Sequence, residues 1–262
     1  MDDENKKFIP PKNDRMFKAV FTENKNCLKE FVSSLAEIPL DEMENLIISN
    51  SELHITDRNS KMPRLDLLVK TKDKIINIEI QLCKTQDFID RSLYYWARLY
   101  SENSEASKDY NAMPQTICVN ILDYKMFKSD DKYKHPAYIT VDGIEHRITD
   151  KFKMIFFELP KISDKLEPEN DVKLWLQFLK VNSRKELEMV KESGNTAVAE
   201  AAEAVIDNNA EWQKRMQKIQ HDIAVMDERA ALYHAREEGK AEGIAEGKAE
   251  GKAEGIEQTK QE

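Results

Sequence analysis

Arg64-Leu65-Asp66-Leu67-Leu68-Val69-Lys70 and Ile75-Ile76-Asn77-Ile78-Glu79-Ile80-Gln81-Leu82-Cys83 set two carboxylates, Asp66 and Glu79, in apolar company, with Gln81 close behind. A two-residue period puts Ile76, Ile78, Ile80 and Leu82 on one face and Asn77, Glu79, Gln81 and Cys83 on the other. Thr71-Lys72-Asp73-Lys74 makes the turn, without the Asn-Gly or Asp-Gly that would define its type. A turn centred between Lys72 and Asp73 faces Lys70 with Ile75 and Asp66 with Glu79. Opposed like charges destabilise a strand pair, and a cation held between them relieves the repulsion. Two carboxylates, waters and a phosphate oxygen suit Mg²⁺, which keeps much of its hydration. Gln81, on the same face, could orient a water or a phosphate but is no base at neutral pH. A plainer alternative stands beside this: an exposed hairpin face carries Asp, Asn, Glu and Gln simply because it meets water.

Other elements must position such a pair. After Pro10-Pro11, Asn13 can cap a helix running from Asp14 to Phe21. Asn24 or Asn26 can start a second, with Leu28, Phe31, Val32 and Leu35 on one face. An aromatic-rich helix is expected over residues 87–104, strands over 116–122, 137–141 and 153–158, and an amphipathic helix over 171–181. The order predicts an α/β or α+β fold with a mixed sheet. Residues 1–185 are read as the core. Residues 186–236 are read as a helical extension, helical throughout because the text is Ala-rich and lacks proline. Residues 237–262 repeat Gly, Ala, Glu and Lys at four-residue intervals and are read as a weakly ordered tail, since interior glycines cost a helix about 1 kcal/mol each.

Composition excludes several classes. The chain has 262 residues, 34% of them charged, and a net charge of -9. The acidic excess belongs to residues 186–262, so the first two thirds are close to neutral and a polyanionic partner is not ruled out. No apolar run is long enough for a membrane span, and the charged start has no leader-like stretch behind it. Five of the seven glycines lie at Gly239, Gly243, Gly247, Gly251 and Gly255. Gly143 and Gly194 alone cannot build a phosphate-cradling loop, a dinucleotide fingerprint or a GxSxG elbow. Cys27, Cys83 and Cys118 are odd in number and widely spaced, so neither a disulfide framework nor a zinc knuckle is expected. A reducing, cytoplasmic setting follows as the default. His54, His135, His146, His221 and His234 show no zinc-ligand spacing.

The Asp66…Glu79-x-Gln81 hairpin does not stand alone. Asn13-Asp14-Arg15-Met16-Phe17-Lys18 precedes it, and Arg91-Ser92-Leu93-Tyr94-Tyr95-Trp96 follows. With Tyr110, Pro114, the 116–123 strand and the Glu-Gly tail, this order and spacing resembles the PD-(D/E)XK nuclease family transposases, the bacterial recombination-promoting nucleases. The resemblance covers most of residues 8–260. It implies a restriction-endonuclease-like core, a mixed central sheet flanked by helices, with a helical C-terminal extension. It implies catalytic Asp66, Glu79 and Gln81, an added acid at Asp14, and a divalent metal, Mg²⁺, on Asp66 and Glu79. Gln81 departs from the pattern by standing where the superfamily carries lysine. Lys84 lies on the opposite parity, and Gln81→Lys is expected to restore the missing charge. Asp14 has a plainer role as well, since an acid in a first helical turn is favoured by the helix dipole.

Affinity for DNA would come from phosphate contacts, with Arg58, Lys61 and Arg64 ahead of the first acid and Arg91 and Arg98 on the following helix as candidates. Arg91, Tyr94/Tyr95 and Arg98 share a helical face. Trp96 is assigned to the core and Arg91 to the site. Three functions stay open. The first is a metal-dependent DNA endonuclease acting in recombination. The second is a nuclease-like fold that binds DNA or protein without cutting. The third is an interaction protein forming a homo-oligomer through the 186–236 helices. The spaced acids of an RNase-H-like strand-transfer enzyme are not recognisable.

Overall fold

Short polar residues ahead of apolar-periodic segments fold here as capped helices. The computed structural model describes residues 8–49, 66–102, 109–223 and 225–226. At the start of α1 (Asp14–Glu23) the Asn13 side-chain oxygen accepts the amide hydrogens of Arg15 and Met16, at 3.2 and 3.4 Å. Asn24, the first of the two candidates, caps α2 (Lys25–Ala36) in the same way. Such a cap is worth about 1 kcal/mol. It leaves the apolar stripes free to point inward, where Phe17, Phe21, Phe31 and Leu35 are fully buried.

Among the described residues the sheet is mixed and six-stranded. Its strands are β1 (Ile47–Ser49), β2 (Leu67–Lys70), β3 (Lys74–Gln81), β4 (Gln115–Leu122), β5 (Lys134–Ala137) and, after a separate small ribbon of β6 (Thr140–Val141) and β7 (Ile144–Arg147), β8 (Phe152–Glu158). The spatial order is β1-β2-β3-β4-β8-β5. β2 and β3 pair antiparallel with Lys70 facing Ile75 and Leu67 facing Ile78, the register expected from the turn. β3 then runs parallel to β4, and β4 parallel to β8. Helices α3 (Phe88–Glu102), α4 (Asp171–Lys180) and α5 (Arg184–Lys191) complete the covering layers. The architecture is the restriction-endonuclease-like α/β fold.

Both faces of β3 are covered. Ile76 and Ile78 join Val69, Val119, Ile121, Ile155 and Phe157 in a core shared with α1, α2, α4 and α5. Ile75 faces the other way, with Leu68, against Leu99 and Tyr95 of α3. Asn77 therefore does not lie on an open hairpin face, and the plainer sequence reading fails for it, whereas Glu79 and Gln81 are half-buried. A parallel neighbour forces this, because the crossover between parallel strands lays a helix over the sheet.

Three expected elements differ in extent. β3 stops at Gln81, whose carbonyl accepts the Asp123 amide hydrogen at 3.0 Å as β4 ends. Leu82 and Cys83 lie beyond it and are exposed. The single strand expected over 137–141 is split: β5 pairs with β8 at the sheet edge, where Pro136 needs no hydrogen-bond partner, and β6 pairs with β7. The uninterrupted helix expected over 186–236 is broken after α5. Gly194 takes φ 90°, a left-handed conformation that glycine adopts without a Cβ penalty, and Asn195 caps the next helical stretch by accepting the Val198 amide hydrogen at 3.0 Å. Lack of proline was not enough to carry a helix through that position.

Residues up to Asn209 form one compact unit. Leu187, Val190, Val198, Ala201, Ala202 and Val205 are buried in its core. Asn209 holds the N-terminal segment by accepting from the Ile9 amide at 2.8 Å and donating to its carbonyl at 3.1 Å. A second unit, Ala210–Glu262, is described as helix over 210–223, where Ile219 and Ile223 are exposed. Among the described residues no helix is long and apolar enough to cross a membrane.

Candidate active site

The site grows from the open end of the β2–β3 pair. Asp66 sits just ahead of β2, and its Oδ2 accepts the Ile80 amide hydrogen at 2.8 Å. That bond fixes the carboxylate beside the strand that carries Glu79. Asn77, on the same face of β3, donates from Nδ2 to Glu79 Oε1 at 3.2 Å, and the Asp66 backbone amide adds a second hydrogen bond to the Glu79 carboxylate. Asp14 arrives from the first turn of α1, because Phe17 and Phe21 anchor that helix under the sheet. Its carboxyl group lies in hydrogen-bonding contact with that of Asp66. Lys18, one turn on, pairs with Asp14 at 2.6 Å.

Crowded acids hold protons more tightly. Burial pushes the Glu79 carboxyl up to about 8, and the neighbouring Asp66 adds to the rise. Asp66 is raised as well, by burial first and by Asp14 next, against the opposing pull of the Ile80 amide and the Lys18 charge. Such interacting carboxylates titrate as a set rather than singly. A raised folded-state pKa means that the native protein holds a proton that the unfolded chain releases. Its stabilising effect is complete below about pH 4.5 and is lost as pH rises through about 8. In EDTA, the parent protein should therefore lose on the order of a few kcal/mol relative to Glu79→Gln between pH 5 and 8.5. Urea unfolding at the two pH values measures this difference, and parallel pH dependences would refute a protonated Glu79.

Gln81 is fully engaged. Its Nε2 donates to the Cys83 carbonyl at 2.8 Å, and its Oε1 accepts from Arg91 Nη2 at 2.5 Å. Arg91 belongs to the first turn of α3 and reaches toward the acids, whereas Arg98 is held at the far end of that helix. Arg98 Nε donates to Glu102 Oε1 at 2.9 Å and Nη1 to the Tyr94 hydroxyl at 3.4 Å. Shared helical parity placed Arg98 beside Arg91, but a carboxylate one turn away captures it. Arg58, Lys61 and Arg64 lie outside the described residues. Trp96 packs on Phe152 with ring centroids 4.8 Å apart and donates from Nε1 to the Thr116 carbonyl at 3.0 Å.

Sequence reasoning missed one layer of the site. Asn120 of β4 stands beside Glu79 in the parallel register and is buried. Its Oδ1 accepts from Ser92 Oγ of α3 at 3.2 Å, while its Nδ2 has no partner. The Asn77 Oδ1 is likewise buried and unpartnered. The available signal was a lone amide residue inside the apolar run Ile117-Cys118-Val119-Asn120-Ile121-Leu122.

Two partly buried carboxylates with raised proton affinity, each supported by few donors, make a donor set that a divalent cation would relieve. Among the described residues no group of three His, Cys, Asp or Glu is arranged to hold a metal ion. Among the described residues a carboxylate pair is what the site offers, and a divalent cation held there would fill its remaining positions with water and substrate oxygens.

The family model for PD-(D/E)XK nuclease family transposases matches residues 11–239. No curated protein and no solved structure matches the chain.

Proposed function

The chain belongs to the PD-(D/E)XK nuclease family transposases, and from that premise we propose that it is a metal-dependent endonuclease acting on DNA, of the recombination-promoting kind. The observation that carries this reading is the Asp66–Glu79 pair, two raised carboxylates on neighbouring backbone toward the end of β3. Asp66 and Glu79 would hold Mg²⁺, which when bound polarises a phosphodiester and acidifies a water for in-line attack.

The chain's own residues do the rest. The Ile80 amide and the Asn77 side chain keep the two carboxylates in place, so little reorganisation is needed on binding. Lys18 balances Asp14, which limits repulsion of a polyanion. Backbone phosphates rather than bases are the expected contacts, because a cut of this kind needs no base readout.

Nicking of supercoiled plasmid tests the reading. The purified protein should cut in Mg²⁺ and stop in excess EDTA. Binding without cutting in any divalent metal would favour the second reading, a nuclease fold kept for binding.

A further inference from the structure

Lysine is missing at position 81, yet the site does not lack a cation. Lys12 is paired with Asp123 at 2.8 Å, and Lys18 with Asp14 at 2.6 Å. Lys84 is exposed beyond the end of β3. Arg91 differs from the two paired lysines because its partner is neutral. Its guanidinium bonds Gln81 Oε1 at 2.5 Å and lies 5.9 Å from the centroid of the Phe88 ring. Among the described residues no carboxylate forms a salt bridge with it. The geometry is fixed from both sides, since Gln81 is anchored to the Cys83 carbonyl and the Arg91 amide donates to the Asp87 carbonyl in the first turn of α3.

We propose that Arg91 is the cation that meets the substrate phosphate at this site, and that Gln81 is a positioning residue that aims it. The proposal rests on the nuclease reading above and deepens it. A neutral partner suits this role better than an acidic one: Gln81 holds the guanidinium through one N–H and leaves the others, with the full positive charge, for phosphate oxygens. Planar N–H pairs match phosphate bidentately, which an ammonium group does not. The charge on Arg91 also opposes protonation of Glu79. One consequence reverses the sequence expectation for Gln81→Lys. A second cation at a contact of 2.5 Å would expel Arg91 rather than add to it.

The test uses the full chain and a short fluorescent DNA duplex, with affinity measured against salt in Ca²⁺ and single-turnover plasmid nicking measured in Mg²⁺. Arg91→Gln should lower the slope of log affinity against log salt by about 0.9, one phosphate contact, and slow nicking by about 100-fold, the scale of one lost electrostatic group. Gln81→Ala keeps the charge but frees it, so the slope should hold while nicking falls roughly tenfold. Gln81→Lys should also slow nicking. The exchange variant, Gln81→Lys with Arg91→Gln, should recover the slope and cut faster than Arg91→Gln alone. A purely structural role would not move the salt slope. Arg91→Gln with the parental slope, a parent that binds no DNA, or Gln81→Lys faster than the parent would overturn the proposal. A parent that binds DNA with the expected slope changes but never cuts would leave Arg91 as the phosphate contact and remove the nuclease reading instead.

Discussion

Asp66→Asn and Glu79→Gln should each reduce plasmid nicking by at least about 100-fold while leaving DNA affinity equal to the parent's or slightly higher. The two effects separate because the carboxylates are assigned to the metal and the cations to the phosphates. Removing one negative charge also weakens repulsion of DNA. The amide variants are the right ones. Asp66→Asn retains an oxygen to accept the Ile80 amide hydrogen, and Glu79→Gln retains one for Asn77 Nδ2. Asp66→Ala would leave the Ile80 amide unsatisfied, at a cost of about 1–3 kcal/mol, and would confuse lost chemistry with lost structure. Nicking rates and anisotropy on the same preparations decide the matter. Variants that cut like the parent would place the activity elsewhere.

Trp175→Ala should cost about 3–5 kcal/mol of stability, out of the roughly 5–15 kcal/mol typical of a whole domain. Trp175 is fully buried. Its ring lies 5.8 Å from Phe21, 5.4 Å from Phe31 and 5.8 Å from Phe178, centroid to centroid. It thus fastens α4 to the two N-terminal helices. Its Nε1 has no hydrogen-bond partner, so Trp175→Phe loses volume but no polar contact and should cost a fraction as much. Urea unfolding midpoints give both values. Nicking should fall in Trp175→Ala beyond what the unfolded fraction explains, because α1 carries Asp14 and Lys18 in the same layer. An unchanged midpoint would mean that this aromatic cluster does not hold the helices to the sheet.

The parts of this site that a sequence exposes are the local ones. The β2–β3 register was readable because a symmetric turn and strict alternation leave one pairing, and Asn13 was readable because a cap acts within three residues. The approach of Asp14 to Asp66 was different. By its own spacing Asp14 is an acid in a first turn, named for the site only through the family resemblance, and the packing of Phe17 and Phe21 brings it to the hairpin. Asn120 is hidden for a related reason: its neighbours Ser92 and Glu79 are distant in sequence and meet through the α3 crossover and a parallel pairing. The cover over β3 was equally illegible, since alternation describes a half-buried strand whether water or a helix lies on its polar side. The ion pair of Arg98 with Glu102 was not legible either, because parity along a helix says nothing about which carboxylate a flexible side chain will find. Gly194 was passed over because a single glycine among good helix formers gives no hint of its φ.

The position of β3 also bears on when, during synthesis, the site takes shape. β2 and β3 are joined by a short turn and can pair as soon as both have been synthesised. Their neighbour on the other side, β4, does not begin until Gln115, and β4 is held in turn by β8, which begins at Phe152. Non-local parallel pairings of this kind form slowly. Until they form, Glu79 would stand on a solvated hairpin, without Asn120 beside it or α3 above it. A nascent or prematurely terminated chain would carry every acidic residue of the site and still lack the enclosure that raises and orders them. Ribosomal synthesis would thus enclose these acids only after β8 has been made.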